Sequence, residues 1–171
     1  MTRAAGVGAR IRALREARGL SLSALAGEAG IGKGTLSELE TGQRNPTLET
    51  LYAVATPLGV PMAALMDDQD GAVLHDDGIV TVRLRVVREP GRTTEVYLLR
   101  LAAGVERRSP AHVAGVTERL VVLTGSGEVE HDGTVQAFVA GEHVAFAADR
   151  PHAYRAGADG FEAVNVIVTP G

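Results

Sequence analysis

Two different spacings of apolar residues divide the chain. Up to about residue 66 they recur every three or four positions, as in helices with one buried face. Val7, Ile11 and Leu14 mark a first helix that ends at Arg18-Gly19, after a frayed start over residues 1–6. Leu22, Leu25, Ala26 and Ala29 mark a second, with Ser21 as its N-cap hydroxyl and Gly30 as its stop. Ile31 and Leu36 are spaced to staple the start of a third, whose inward face is Leu36 and Leu39 and whose end is Gly42. Thr47 caps a fourth, carrying Leu48, Leu51, Tyr52, Ala55 and Leu58 and closed by Gly59. Pro61 opens a short fifth through Leu65. Five small helices predict one all-α unit over residues 1–66.

From residue 79 the period changes to two. Val80, Val82, Leu84 and Val86 alternate with Thr81, Arg83 and Arg85, which predicts a half-buried strand. Further strands are expected over 96–101, 119–123, 127–130, 134–139, 143–147, 152–155 and 161–168, with a hairpin turn at Asp132-Gly133. Many short strands imply a sandwich or small barrel over residues 79–171. Between the two patterns, residues 67–78 (DDQDGAVLHDDG) carry five aspartates and no cation, and read as an acidic linker. The fold class is therefore multidomain, α followed by β.

Composition narrows the chemistry. There is no cysteine, which excludes disulfides and thiolate metal sites. No apolar run is long enough to span a bilayer, and no charged-then-apolar leader opens the chain, so a cytoplasmic protein without a membrane partner is expected. The net charge of −4 argues at first against nucleic acid. The distribution reverses that reading. Residues 1–66 hold seven cations against five glutamates, so the acidity sits mainly in the linker. The single lysine, Lys33, falls on the third helix, where Lys33, Gly34, Ser37, Glu38 and Thr41 form a short polar row facing outward. Such a row fits the major groove of DNA.

Residues 7–66 resemble the Xre, or lambda-repressor-like, helix-turn-helix family. The resemblance is carried by GLSLSALA with Leu25-Ala26, then Leu36-Ser37, Leu39-Glu40, Gly42 and Asn45-Pro46-Thr47. It implies a five-helix bundle, an ion pair between Arg15 and Glu40, and base-reading positions at Lys33, Gly34, Ser37 and Glu38, with Gly32 at the helix start. Arg44 and Asn45 fall where that family contacts phosphate. The glutamine common at the start of the family's second helix is Leu22 here, which removes one side-chain contact to DNA.

Residues 79–171 resemble the cupin family of small jelly-roll barrels. His112, Glu118 and Gly125 match its first motif; Gly141 and Pro151-His152 match its second. The resemblance implies a divalent metal held by a His-x-His pair, a glutamate and a later histidine, but the second histidine of the pair falls on Ala114. His112, Glu118 and His152 remain as candidate ligands. Two imidazoles and a carboxylate suit an open three-ligand site for Zn, Fe, Mn or Ni. They equally suit a metal-free barrel in which they line a ligand pocket or bond one another. His131, beside the hairpin turn, and His143, early on a strand, are poor substitutes for the missing ligand. Tyr97, Arg100, Arg119 and Tyr154 are further polar groups on strands, each expected to face water.

The combination resembles bacterial regulators that join an Xre-type head to a cupin. It implies a sequence-specific DNA-binding transcription regulator, a repressor rather than an enzyme. It would act as a homodimer on double-stranded operator DNA, with the barrel sensing a small-molecule effector. The alternative is a non-haem iron cupin enzyme of the epoxidase or dioxygenase type bearing a helix-turn-helix head.

Overall fold

A computed structural model describes residues 3–66, 71 and 73–171. The chain divides into two compact units, Met1–Asp68 and Gln69–Gly171. The first holds α1 (Arg3–Ala17), α2 (Leu22–Glu28), α3 (Lys33–Glu40) and α4 (Leu48–Ala55). Ser21 caps α2 by accepting from the Ala24 amide at 3.1 Å, and Thr47 caps α4 by accepting from Thr50 at 3.2 Å. Ile11, Leu25, Leu36, Leu39, Leu51, Val54, Leu58 and Leu65 are buried and make its core.

The bundle has four α-helices among the described residues, where the apolar spacing predicts five. The segment after Pro61 closes as a single 3-10 turn, Met62–Ala64. Its bonds run three residues back, from Ala64 to Pro61 and from Leu65 to Met62. One turn suffices to bury Met62, Ala63 and Leu65. At the other end α1 begins at Arg3, earlier than the expected frayed start allows.

The second unit is one eight-stranded antiparallel sheet: β1 (Val73–Asp76), β2 (Ile79–Glu89), β3 (Arg92–Leu101), β4 (Glu106–Ser109), β5 (Thr117–His131), β6 (Thr134–Val139), β7 (His143–Ala147) and β8 (His152–Pro170). The strand order is β1-β2-β3-β8-β5-β6, with β4 beside β8 and β7 beside β5. Part of the expected linker is therefore sheet: β1 pairs with β2 from Val73↔Val82 to Asp76↔Ile79. Residues 67–70 and 72 lie outside the described residues. β4 was not foreseen, and β5 and β8 are each continuous where the pattern predicts two strands apiece.

A glycine corner folds the sheet. Residues 157–160 of β8 have no partner in β5, which shifts register between Gly125 and Gly127 at the same level. Gly125 and Gly160 take φ of +76° and +72°, and a Cβ on Gly125 would sit 2.0 Å from the Gly160 carbonyl oxygen. The alternation in β2 is real, but its face is inverted: Thr81 and Arg83 are buried, while Val80 and Val82 are half-buried on the outer side. The interior of the sheet unit mixes apolar side chains with polar ones, and in β2 the polar face is the buried one.

A second close approach fixes α1 against α3. A Cβ on Gly8 would fall 2.0 Å from the Leu39 carbonyl oxygen. Alanine normally stabilises a helix interior by about 1 kcal/mol relative to glycine. Here the clash with backbone reverses the sign, and Gly8→Ala is expected to destabilise the first unit by about 1–3 kcal/mol. Urea unfolding followed by helical circular dichroism checks both sign and size.

Candidate functional site

In the first unit the tie between α1 and α3 is electrostatic as well as steric. Arg15 donates from Nε and Nη2 to the two oxygens of Glu40 at 2.6 and 2.8 Å, and from Nη1 to the Leu20 carbonyl at 2.9 Å. The side chains are 11% and 6% exposed, so this bidentate pair is nearly dry. Its hydrogen bond with Glu40 raises the Arg15 pKa against the opposing effect of burial. One residue of α1 thereby sets the tilt of α3.

The residues expected to read DNA lie on and beside α3. Gly32 is its N-cap, and Lys33, Gly34 and Glu38 are exposed, with Ser37 half-buried beside them. The Thr41 hydroxyl donates back to the Ser37 carbonyl at 2.9 Å. The loop that follows folds onto the helix end, with the amides of Gln43 and Arg44 both bonded to the Glu38 carbonyl. Arg44 and Asn45 are exposed there, and Arg44 Nε lies 3.5 Å from the Glu38 carboxylate. Gly8 was missed because a glycine inside a helix pattern reads only as a weak helix former; its spacing before Ile11 and Arg15 was the available signal.

In the sheet unit His112, Glu118 and His152 are all buried, and their ligand atoms lie within 4.8 Å of one another. His112 Nε2 is 2.5 Å from Glu118 Oε1, and His152 Nε2 is 3.5 Å from the same oxygen. On the other oxygen, Oε2, Glu118 accepts from the Tyr154 hydroxyl and, at 2.9 Å, from Asn165 Nδ2. Burial pushes the Glu118 carboxyl up, but the His112 hydrogen bond and the charges of both imidazoles outweigh it and hold the group well below the usual carboxylate range.

The orientation of His152 decides what fits between these groups. Its Nδ1 is 3.0 Å from the Arg150 carbonyl, which can only accept, so Nδ1 carries a proton. In the neutral ring Nε2 then presents a lone pair toward Glu118 Oε1, and it has no hydrogen-bond partner among the described residues. With a proton on Nε2 the two groups form the ion pair that lowers the Glu118 pKa; without it two electron-rich atoms face each other and suit a metal cation, and the outer hydrogen bond to Nδ1 is the support that metal-bound histidines use. The donor set fits a divalent ion with open positions. Ala114 is exposed and supplies nothing.

His143 is exposed, while Val144 and Phe146 are buried, as the pattern predicts. His131 stacks on Phe146 with ring centres 4.9 Å apart. Of the four strand residues expected to face water, Arg100 and Arg119 do, whereas Tyr97 and Tyr154 are buried. Tyr97 donates to Glu95 at 2.7 Å inside the sheet. Arg83, Glu95, Arg107, Ser109 and Asn165 are also buried and escaped sequence reasoning. For Asn165 a signal existed: it is the one polar residue in the run VNVIV.

With this geometry in view, the class is that of a regulator: a helix-turn-helix head followed by a β-sheet unit resembling a cupin. Residues 11–65 match the helix-turn-helix family HTH_3. The chain is 33% identical over 153 residues to the HTH-type transcriptional regulator SutR of Escherichia coli, covering 87% of this chain and 86% of that protein. It superposes with a TM-score of 0.86 on the crystal structure of an HTH_3 family transcriptional regulator from Vibrio cholerae, at 27% identity and over 99% and 98% of the two chains. The HTH-type regulator DdrOP3 of Deinococcus deserti is 45% identical over 58 residues, 34% of this chain and 45% of that protein. The chain belongs to the family of HTH-type transcriptional regulators and is a DNA-binding protein. No described helix is long and apolar enough to cross a membrane.

Breaking one partner of the Arg15–Glu40 pair leaves a nearly buried charge uncompensated. Glu40→Gln is expected to cost about 3 kcal/mol, and pairing it with Arg15→Met to cost less than the two single changes added together. A double-mutant cycle in urea measures both.

Proposed function

We propose that α3 reads operator DNA through Lys33, Ser37 and Glu38, and that the sheet unit senses a small effector, making the protein a ligand-responsive repressor. The observation that carries the DNA part is the row of exposed Lys33, Gly34 and Glu38 with half-buried Ser37 among them, on a helix locked from behind by Gly8 and Arg15. Gly34 lets the helix approach base edges closely. Lys33 suits guanine, Glu38 suits the amino group of cytosine, and Ser37 suits either. Arg44 and Asn45 contact phosphates beyond the C-terminal end of α3, and the open N-terminus at Gly32 offers amide donors at the opposite end.

A repressor of this type acts as a homodimer, with two reading helices entering major grooves about 34 Å apart on a near-palindromic site. A row of apolar residues on the outer face of the sheet supports association. Val82, Leu98, Val164 and Val121 lie side by side across β2, β3, β8 and β5, and Val121 and Leu123 are about two-fifths exposed. For the barrel, His112, Glu118 and His152 would hold a divalent cation of the Zn, Fe, Mn or Ni type, which would supply open coordination positions to an effector. Effector control requires the ligand to bind two states of the protein with different affinity.

The same triad is what favours the second reading, an iron-dependent oxidation. Stoichiometric iron together with oxygen-dependent turnover of a substrate would establish it over the sensor reading.

Operator selection with the full chain, followed by binding at several salt concentrations, tests the head. Specific affinity is expected to fall with salt at a log–log slope of about −0.9 per neutralised phosphate. Lys33→Ala and Ser37→Ala should each cost about 1–3 kcal/mol against the selected site and relax preference at one position. Arg44→Ala should weaken all sequences alike and reduce the salt slope by about one. Unchanged selectivity in both Lys33→Ala and Ser37→Ala overturns α3 as the reading element. For the triad, titration with zinc is expected to reach one ion per chain, and His152→Ala to weaken it by about tenfold or more.

A further inference from the structure

The outer face of the sheet presents a broad, mostly apolar surface. Register across β2, β3, β8 and β5 sets its side chains in rows, and Val82, Leu98, Val164 and Val121 form the central one. Two residues along the strands lie Val96, Val166 and Arg119. Two residues the other way lie Arg100 and Glu162. On β7 the exposed Ala145 and Ala147 extend the face beyond β5. Five strands about 4.8 Å apart and three rows about 6.8 Å apart span about 500 Å² in plan, before the relief of the side chains is counted. A solitary chain rarely exposes a contiguous apolar patch of more than a few hundred Å². The face is of the order that a stable interface takes from each partner, about 800 Å².

The charges on this face are half-answered. Arg119 is exposed among valines and makes no hydrogen bond or ion pair with any described residue. Its stem suits apolar neighbours, but its guanidinium needs an acceptor. Glu162 accepts from Arg100 through Oε2, and its Oε1 has no partner among the described residues. Within one chain the two cannot meet. Arg119 stands level with Val166, four residues from Glu162 along β8, a separation of about 13 Å. A two-fold axis laid along the central row exchanges the rows on either side of it. It sets Arg119 of one chain against the row that holds Glu162 of the partner subunit, and the reverse. An axis laid on the Arg119 row would instead bring the two arginines together, which like charges oppose.

We propose that a second copy of this chain docks on the outer face of the sheet, about a two-fold axis along the central row, with Arg119 paired to Glu162 of the partner subunit. This names the surface for the homodimer reading and rests on it.

Analytical ultracentrifugation of the full chain over a range of concentrations tests it. Arg119→Glu and Glu162→Arg each place like charges across the axis, and each is expected to weaken self-association by about tenfold or more. Val121→Lys, on the central row, is expected to do the same. Mixing Arg119→Glu with Glu162→Arg in equal amounts restores both opposite-charge contacts, so a heterodimer of about wild-type affinity is expected. Circular dichroism checks that each variant is folded, and if the charge variants fail to fold, Val121→Lys decides the face. A chain that sediments as a monomer at every concentration overturns the proposal together with the homodimer reading. A dimer indifferent to all three substitutions overturns the face and leaves the homodimer reading standing. Weakening by all three with no heterodimer on mixing upholds the face and overturns the Arg119–Glu162 pair.

Discussion

The pairing of β5 with β8 is the constraint on which the sheet unit depends. These are its two longest strands, and they run together from Thr117↔Val168 to His131↔His152. Glu118 lies on one, and His152, Tyr154 and Asn165 lie on the other. Their register places three hydrogen-bonding groups around a single carboxylate. The corner at Gly125 and Gly160 makes this possible, since the strands approach there more closely than any Cβ allows. A flat pairing would leave His152 and Asn165 at opposite ends of an extended ribbon. Folded at the glycines, they share one interior.

The head solves a related problem by different means. A short helix whose outer face is polar has little apolar surface with which to hold its angle. Here α3 carries only two fully buried residues, Leu36 and Leu39, which is a small grip for eight residues. Gly8 lets α1 come close to its C-terminal end, and Arg15 bonds Glu40 through both carboxylate oxygens. Nearly dry ion pairs contribute more to geometry than to net stability, because desolvation offsets much of the attraction. That suits a role in aiming α3. The outward face is left free of packing duties.

The two units differ in how legible they were. In the head each helix is a local object. Leu22, Leu25 and Ala26 recur at one spacing, Ser21 and Thr47 are caps, and Gly30 and Gly42 are stops, so neighbouring residues contain the whole signal. The misses lay at the two ends: α1 starts at Arg3, and after Pro61 a single turn was enough to bury the apolar residues. In the sheet the alternation located most strands, yet Thr81 and Arg83 turned inward and Val80 and Val82 outward. Period two identifies two faces without saying which one is inside. The usual rule assigns the apolar face to the interior, and the buried Thr81 and Arg83 break it.

His112, Glu118 and His152 were visible through motif spacing, because a family pattern stores contacts that a local reading cannot. Arg107, Ser109 and Asn165 had no such record. What the sequence determined by itself was the order of elements, the helical head with its exposed polar row, the change of period near residue 79 and the candidate ligands. Only the tertiary structure decided which strand faces line the interior, that β5 and β8 are continuous, and which lone pairs meet. The physical reason is range: caps and periods act within a few residues, whereas register across a folded sheet is set by residues far apart in the chain, such as the 47 positions separating Asn165 from Glu118.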